Sequence, residues 1–500
     1  MKPESSPAPS GTGGRRVMPA LVLAMLAYTI VQTAVVPVLP LLAQEFHRPS
    51  STVTWLMTAN LLSAAVFTPL LGRIGDLRGR RPVLLVSLGG LVAGSLLAVT
   101  THSFALLIVA RVLQGLAGGV LPLAIAVVRD ELPADRVTGG MALISATLGV
   151  GSGLGLVAAG VLTEHWSYQS IFWFGLAIGL LAMALVLLLV PAKPAGDVTG
   201  GADPLGVLTL AGWLVALLVA VSQGNSWGWT STRTLALFAL AAVLLLAWVL
   251  VENRAQHPLV DMRMMAKPAV AFTNLSGALI GFGMYGTFMV VSNFVQTPER
   301  ITHYGFGATI LHAGILVLPA AAGSLAGAPV GSWLITRYGP RPPLVAGGLL
   351  AAAGLYYLAF EHGHESDVYL ACAIFGTGLG LAFSAMPAYI NSAVEPDQSG
   401  IANGMNAVLR TVGGAIGTSV LGAVLTGDTI PGLPAPLELP TLDAYRHAWL
   451  IGATVCLLAA AVPFAIRRGA PDATPAAATR QGDPTPDPDQ ARAGTPGSGS

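Results

Sequence analysis

Charge is what this sequence has least of. Only 10% of its 500 residues are Asp, Glu, Lys or Arg, whereas a water-soluble domain carries about 25%. So few charges cannot cover a soluble fold of this length. The net charge is only +1, so no global basic field points to nucleic acid. Cysteine is almost absent. Cys372 and Cys456 each lie within an apolar run, where a small buried hydrophobe is expected and a disulfide or metal site has little support. No Gly-x-x-x-x-Gly-Lys-Ser/Thr loop occurs, which argues against ATP as the energy source. The nine histidines fall almost entirely in loops or at the ends of apolar runs, with His312 the exception. Their spacing suits no metal, and no cofactor or catalytic constellation is expected. The first fourteen residues are rich in Ser, Pro and Gly, and the apolar run behind them is too long for a signal h-region. That run is expected to remain as a span.

Apolar residues are abundant, at 54% of the chain with a mean hydropathy of +0.70. A bilayer-crossing helix needs about 20 of them in succession. Windows of that kind fall at 17–43, 52–72, 82–100, 104–128, 138–163 and 169–190, and then at 205–222 and 232–251. Six more fall at 268–297, 306–335, 340–360, 366–394, 398–426 and 445–467. The predicted fold class is therefore an all-α polytopic membrane protein of fourteen spans. Short loops orient such a chain by their Lys and Arg content. With the N-terminus inside, the inner segments hold 17 of these residues, among them Arg73, Arg78, Arg80, Arg81, Arg129, Arg136, Arg337 and Arg341. The outer segments hold four, Arg48, Arg233, Arg300 and Arg446. Both termini are expected in the cytoplasm and the protein in the cell membrane. Trp227-Gly228-Trp229 reads as an aromatic interface anchor. From Gly469 the composition turns to Pro, Ala, Gly, Asp and Thr, a predicted disordered tail.

An internal repeat organises the spans. The segment Gly72 to Pro82 and the segment Ser332 to Pro342 align at an offset of 260 residues, Gly79 on Gly339, Arg81 on Arg341 and Pro82 on Pro342. The second copy has Thr336 where the first has Asp76. Two six-span halves, 17–190 and 268–468, would then flank an inserted pair within 191–267, between a cytoplasmic segment 1–16 and the tail 469–500. Halves built from internal repeats commonly share a site at the membrane midplane.

Three motifs carry a family resemblance. Gly72, Asp76, Arg78, Gly79, Arg80 and Arg81 stand at fixed spacing after the second span. The glycines allow a tight turn, and Asp76 can pair with the arginines and face a neighbouring helix N-terminus. In the fourth span Arg111, Gln114, Gly115 and Gly118 share one helical face. An arginine there costs at least about 2.5–3.5 kcal/mol to insert, so it should face a polar interior. In the fifth span Gly149 and Gly153, and Gly151 and Gly155, form small-xxx-small pairs, with Gly160 beyond them. This set resembles the signature loop, the second motif and the antiporter motif of the major facilitator superfamily. In the last of these the usual proline and one glycine are missing from Gly155-Leu156-Val157-Ala158-Ala159-Gly160. The fourteen-span layout, Glu252 with His257-Pro258-Leu259, and Gly400 to Gly417 are similar to its drug/proton antiporter branch. The resemblance covers residues 15–468. It implies proton-driven export, with Arg111 in proton transfer. A purely structural arginine bonded to backbone carbonyls is the alternative.

Exporters of that branch often carry an acid in the first span; here Val31 and Gln32 stand in its place. The two clear mid-span charges are Arg111 and Arg410. A cavity lined this way favours neutral or anionic substrates, unless Asp130, at the end of the fourth span, reaches it. Proton-coupling candidates are Arg111, Asp76 and Asp130. Cavity candidates are Tyr28 and Gln32 in the first span, Asn60 in the second, and Gln114 in the fourth. The ninth span offers Tyr285, Ser292, Asn293 and Gln296, the twelfth Tyr389, and the thirteenth the stripe Asn403, Asn406 and Arg410. Any single Asn or Tyr among them could instead hold two helices together. The expected partners are a small-molecule substrate, protons and lipid, the protein acting as a monomer without nucleic acid. A symporter or facilitator for a nutrient is the alternative, and a receptor or membrane enzyme a remote one.

Overall fold

A computed structural model describes residues 13–48, 50–53, 55–192, 204–256, 258–395, 398–431 and 439–465. Nearly all of the expected N-terminal segment and the whole predicted tail lie outside these residues. Among the described residues, fourteen helices are long and apolar enough to cross a membrane. We number them α1 (Arg16–Val38), α2 (Trp55–Arg78), α3 (Arg80–Thr100), α4 (Phe104–Glu131), α5 (Ala134–His165), α6 (Gln169–Leu189) and α7 (Pro204–Trp227). The series continues with α8 (Thr232–Arg254), α9 (Pro268–Gln296), α10 (Ile310–Tyr338), α11 (Arg341–Phe360), α12 (Glu365–Ala393), α13 (Ser399–Gly427) and α14 (Leu442–Ala465). Hydrocarbon offers a backbone no hydrogen-bond partner, so each apolar run satisfies its own amides as a helix. The described residues form no named strand, only an isolated bridge between Thr429 and Pro440.

The span count matches the sequence windows, while several edges and interiors differ. The segment Gly72–Arg78, read as loop, continues α2 as helix. The turn comes only at Gly79, whose φ of +92° suits a residue without a Cβ. Its repeat partner Gly339 has φ +82° and ends α10 in the same way. The first span is not one straight helix to residue 43. It passes through a 3₁₀ turn at Val36–Val38 into a short helix Leu39–Glu45, because Pro37 and Pro40 remove amide donors there. A second 3₁₀ turn, Leu116–Gly119, interrupts α4 where its glycines let α2 and α3 approach.

Helix neighbours repeat between the halves. Helix α1 packs on α5 and α6, α3 on α6, and α2 on α4; likewise α9 packs on α13 and α14, α11 on α14, and α10 on α12. The halves meet through α5 with α10 and α12, and through α13 with α2 and α4. The inserted α7 packs on α8, α2 and α13. We call the side carrying Arg73, Arg78, Arg80, Arg81, Arg337 and Arg341 the basic face. It lies at the α2–α3 and α10–α11 turns.

The α5 glycines use two faces. A Cβ on Gly149 would lie 2.7 Å from Ser324 Oγ and one on Gly153 2.9 Å from the Ala321 side chain, both on α10. Gly151 abuts Thr29, and Gly155 abuts Thr33 and the Ile30 carbonyl, all on α1. Close approach therefore holds α5 against its own half on one side and the other half on the next. Gly155→Val is expected to destabilise the detergent-solubilised protein by about 1–3 kcal/mol through overpacking. Thermal melting reads the effect, and an unchanged midpoint would contradict this packing account.

Candidate functional site

Three arrangements of polar side chains stand out, two at the contact between the halves and one inside the N-terminal half. At the basic face, Asp76 is buried, with Arg80 Nη2 3.7 Å from its Oδ1. Arg80 also pairs with Asp130 and donates to the Ala126 carbonyl at 2.6 Å. One guanidinium thus joins α2 to the end of α4. Asp76 also faces the start of α13, where a Cβ on Gly400 would lie 2.7 Å from Oδ2. Residue Gly72 lies against the Gly400 carbonyl, a Cβ there falling 3.0 Å from it. A carboxylate at a helix N-terminus gains about 0.3–1 kcal/mol, and more when partly buried. Asp130 stays at this face, its side chain 41% exposed. In the second repeat the Thr336 hydroxyl bonds its own helix, at the Trp333 carbonyl, and Arg337 lies over the rings of Trp333 and Tyr338.

Deeper in the N-terminal half, Arg111 is fully buried. Its Nε donates to the Leu56 carbonyl at 3.1 Å, and its Nη1 to the Val31 carbonyl at 3.3 Å and to Gln114 Oε1 at 2.8 Å. Gln114 in turn donates to Ser95 Oγ, and Asn60 donates to the Arg111 carbonyl. Arg111 therefore ties α4 to α1 and α2 through carbonyl oxygens. Among the described residues no carboxylate pairs with it.

Between the halves, on the side away from the basic face, lies a cavity of about 260 Å³. Its walls are Gln32, Thr33, Val36 and Leu39 of the first span region, Met57, Thr58 and Leu61 of α2, and Ser152 and Leu156 of α5. Leu218 and Ser222 of α7, Tyr285, Phe288, Met289 and Ser292 of α9, and Thr411, Gly414, Ala415, Thr418 and Ser419 of α13 complete them. The lining holds hydroxyls and one carboxamide but no acid and no base. Drug-sized ligands fill about 300–1,000 Å³, so this space has to widen around one. At its edge Gln32 lies by the hydroxyls of both Tyr28 and Tyr285, and Arg410 and Arg111 lie within electrostatic range of Tyr28. The Arg410 guanidinium rests 5.3 Å from the centre of the Phe383 ring.

Of the cavity candidates, Gln32, Tyr285 and Ser292 line it, and Tyr28 and Arg410 stand behind them. The others go elsewhere. Asn403 donates to Asn391 Oδ1 and the Ser399 carbonyl, and Asn406 to Asn274 Oδ1 and the Thr273 carbonyl. Both fasten α13, to α12 and α9 respectively. Gln296 bonds Ser292 one turn back, Asn293 is exposed and bonds the Met289 carbonyl, and Tyr389 is packed in the core. The reading missed the α13 hydroxyls beyond Arg410 and every contribution from α7. Ser222 was legible only as one of three hydroxyls, with Thr209 and Ser226, on an apolar inserted helix.

The family model described as Major Facilitator Superfamily matches residues 21–418, and again 275–488. The chain is 27% identical over 447 residues to the "Tetracenomycin C resistance and export protein" of Streptomyces glaucescens, covering 88% of this chain and 82% of that protein. It is 28% identical to a "Multidrug resistance protein B homolog" of Mycobacterium tuberculosis, over 76% of this chain and 71% of that one. With "Multidrug transporter protein MdtP" of Bacillus subtilis the identity is 27%, over 75% and 69%. Among solved structures, the human organic anion transporter MFSD10 (TETRAN) shares the fold at a TM-score of 0.63 and 17% identity. That match covers 90% of this chain and 99% of that one. Arg111→Met strips a donor group from two backbone carbonyls and Gln114, and is expected to lower unfolding stability by about 1–3 kcal/mol. A native-like melting curve would contradict the bonding described for it.

Proposed function

The chain belongs to the Major Facilitator Superfamily, and on that premise we propose that it exports small lipophilic or anionic compounds against inward proton flow, by alternating access. The chain is a membrane transporter rather than an enzyme. The observation that carries the finer reading is the cavity between the halves, apolar, hydroxyl-dotted and free of carboxylate, with Arg410 and two tyrosines beside it. A desolvated organic cation finds no counter-charge there, whereas a carbonyl, phenol or anion finds donors. The names of the relatives, resistance and export proteins, support the direction of transport.

The positive-inside rule puts the basic face in the cytoplasm, and with it both chain termini. The described state then has its cavity on the extracellular side while Gly72 and Gly400 hold α2 to α13 on the cytoplasmic side. Protonation of Asp76 would weaken its attraction to Arg80 and to the α13 N-terminus, releasing that contact so the cytoplasmic side can open. Arg111 and Asp130 complete the proposed coupling set, Asp130 through Arg80 and Arg111 through its tie between α1, α2 and α4. Energetically this suffices. One inward proton carries about 2.3 kcal/mol per 100 mV, and each pH unit adds about 1.4 kcal/mol. Together these sustain a roughly 500-fold gradient of an uncharged substrate. The acid-free cavity and the missing proline of the α5 motif favour one second reading, a symporter or facilitator in which protons do not drive export.

In inverted vesicles, tetracenomycin C uptake is expected to fall at least tenfold in Arg410→Ala, with membrane abundance unchanged and Arg410→Lys intermediate. Lipophilic quaternary ammonium dyes should compete poorly. Full activity of Arg410→Ala would remove Arg410 from the site, and strong saturable dye transport would overturn the charge preference.

A further inference from the structure

The two seams between the halves are closed differently. Along α5 and α10 the helices touch directly, from Gly149 at Ser324 and Gly153 at Ala321 to Gly160 at Leu311 and Gly314 at Val157. The pseudo-symmetric seam, α2 with α13, has such contacts toward the basic face, at Gly72 with Gly400 and at Gly404 with Pro69. Farther along, α2 and α13 instead each bond to α7. The Thr58 and Ser222 hydroxyls are 2.6 Å apart, and Asn225 Nδ2 donates to the Ser419 carbonyl at 3.0 Å. Leu218, Ser222, Thr58 and Ser419 all line the cavity. The inserted helix is therefore a wall of the cavity, filling the gap that the repeat plan leaves between α2 and α13.

The two bonds of α7 are not equivalent. Asn225 is held in place by Trp229, whose Nε1 donates to Asn225 Oδ1 at 2.8 Å while its ring lies against Gly224. The positioned amide then bonds a backbone carbonyl of α13. The connection from α8 to α9 packs here too, Leu259, Val260 and Met264 being buried in one cluster with Ile401 and Met405 of α13 and Ala65 of α2. Toward α2 the polar tie is the hydroxyl pair of Thr58 and Ser222. Interhelical bonds of this kind are weak in a membrane, which permits breaking and remaking in each cycle. Rocking that parts Gly72 from Gly400 must bring the far ends of α2 and α13 together, into the space that α7 fills.

We propose that α7 is a moving lateral gate of the cavity: it travels with α13, and it parts from α2 at the Thr58–Ser222 seam whenever the cavity closes on the face away from the basic one. While seated, it screens the cavity from lipid and presents Leu218 and Ser222 to the substrate. The proposal rests on alternating access but not on the substrate class or on proton coupling.

Two cysteine pairs test it, in a chain whose buried Cys372 and Cys456 are replaced by alanine. Cross-linking Thr58→Cys to Ser222→Cys is expected to abolish tetracenomycin C transport in liposomes, with recovery on reduction. Cross-linking Asn225→Cys to Gly422→Cys, where the native Asn225 amide lies 3.5 Å from a Cβ on Gly422, should leave at least half of it. A substrate-free arm uses Gly72→Leu, which forces apart the α2–α13 contact at the basic face. It should slow Thr58→Cys/Ser222→Cys cross-linking at least threefold. An unchanged rate, a harmless α2–α7 cross-link, or the two pairs behaving in reverse would overturn the gate. A native protein that moves no tetracenomycin C would count against the functional reading alone, and the cross-linking rate would still decide the gate.

Discussion

Hydrocarbon supplies no hydrogen-bond partner, and the placement of polar groups in this protein follows from that constraint. Backbone amides close on themselves in fourteen helices. Hydroxyls of Thr29, Thr68, Thr273 and Thr418 turn back to carbonyls four residues earlier. Side-chain amides reach farther and become fasteners, as Asn403 and Asn406 do for α13. Arg111 takes the same route at larger scale, satisfying its charge with two carbonyls and a carboxamide rather than an acid. Polar groups left facing the cavity are therefore the exception.

The contact at the basic face then acquires its meaning. Asp76 has neighbours from both halves, Arg80 on one side and the α13 N-terminus on the other. The repeat partner Thr336 makes no comparable tie. A pseudo-symmetric molecule is thus fastened asymmetrically, by a titratable group on the α2–α13 seam and by small-residue packing on the α5–α10 seam. The same seam carries the inserted α7, so the departure from the twelve-helix plan and the departure from charge symmetry fall together.

Much of this was legible in the sequence because its cause is local. Span number follows from run length, the turns at Gly79 and Gly339 from a repeated spacing, and the glycine faces of α5 from i, i+4 arithmetic. Asp76 facing a helix N-terminus was likewise anticipated. What failed was the assignment of faces to partners. The Asn403, Asn406 and Arg410 stripe is one face by periodicity, yet its asparagines bind α9 and α12 while only the next turns, from Thr411 to Ser419, meet the cavity. Helical period says which residues share a side and nothing about what packs there. For the same reason α7 read as an accessory apolar helix, since Leu218 and Ser222 are ordinary residues until α2 and α13 are placed around them.

Proton-coupled export through the cavity is the central claim, and proton flux during substrate movement tests it most directly. Liposomes containing the protein and a luminal pH dye are given an imposed pH gradient and then candidate neutral, anionic and cationic compounds. The account predicts proton movement that begins with substrate, runs opposite to it, and disappears in Asp76→Asn with the protein still inserted. Substrate movement without any proton flux would contradict the account and make the protein a facilitator.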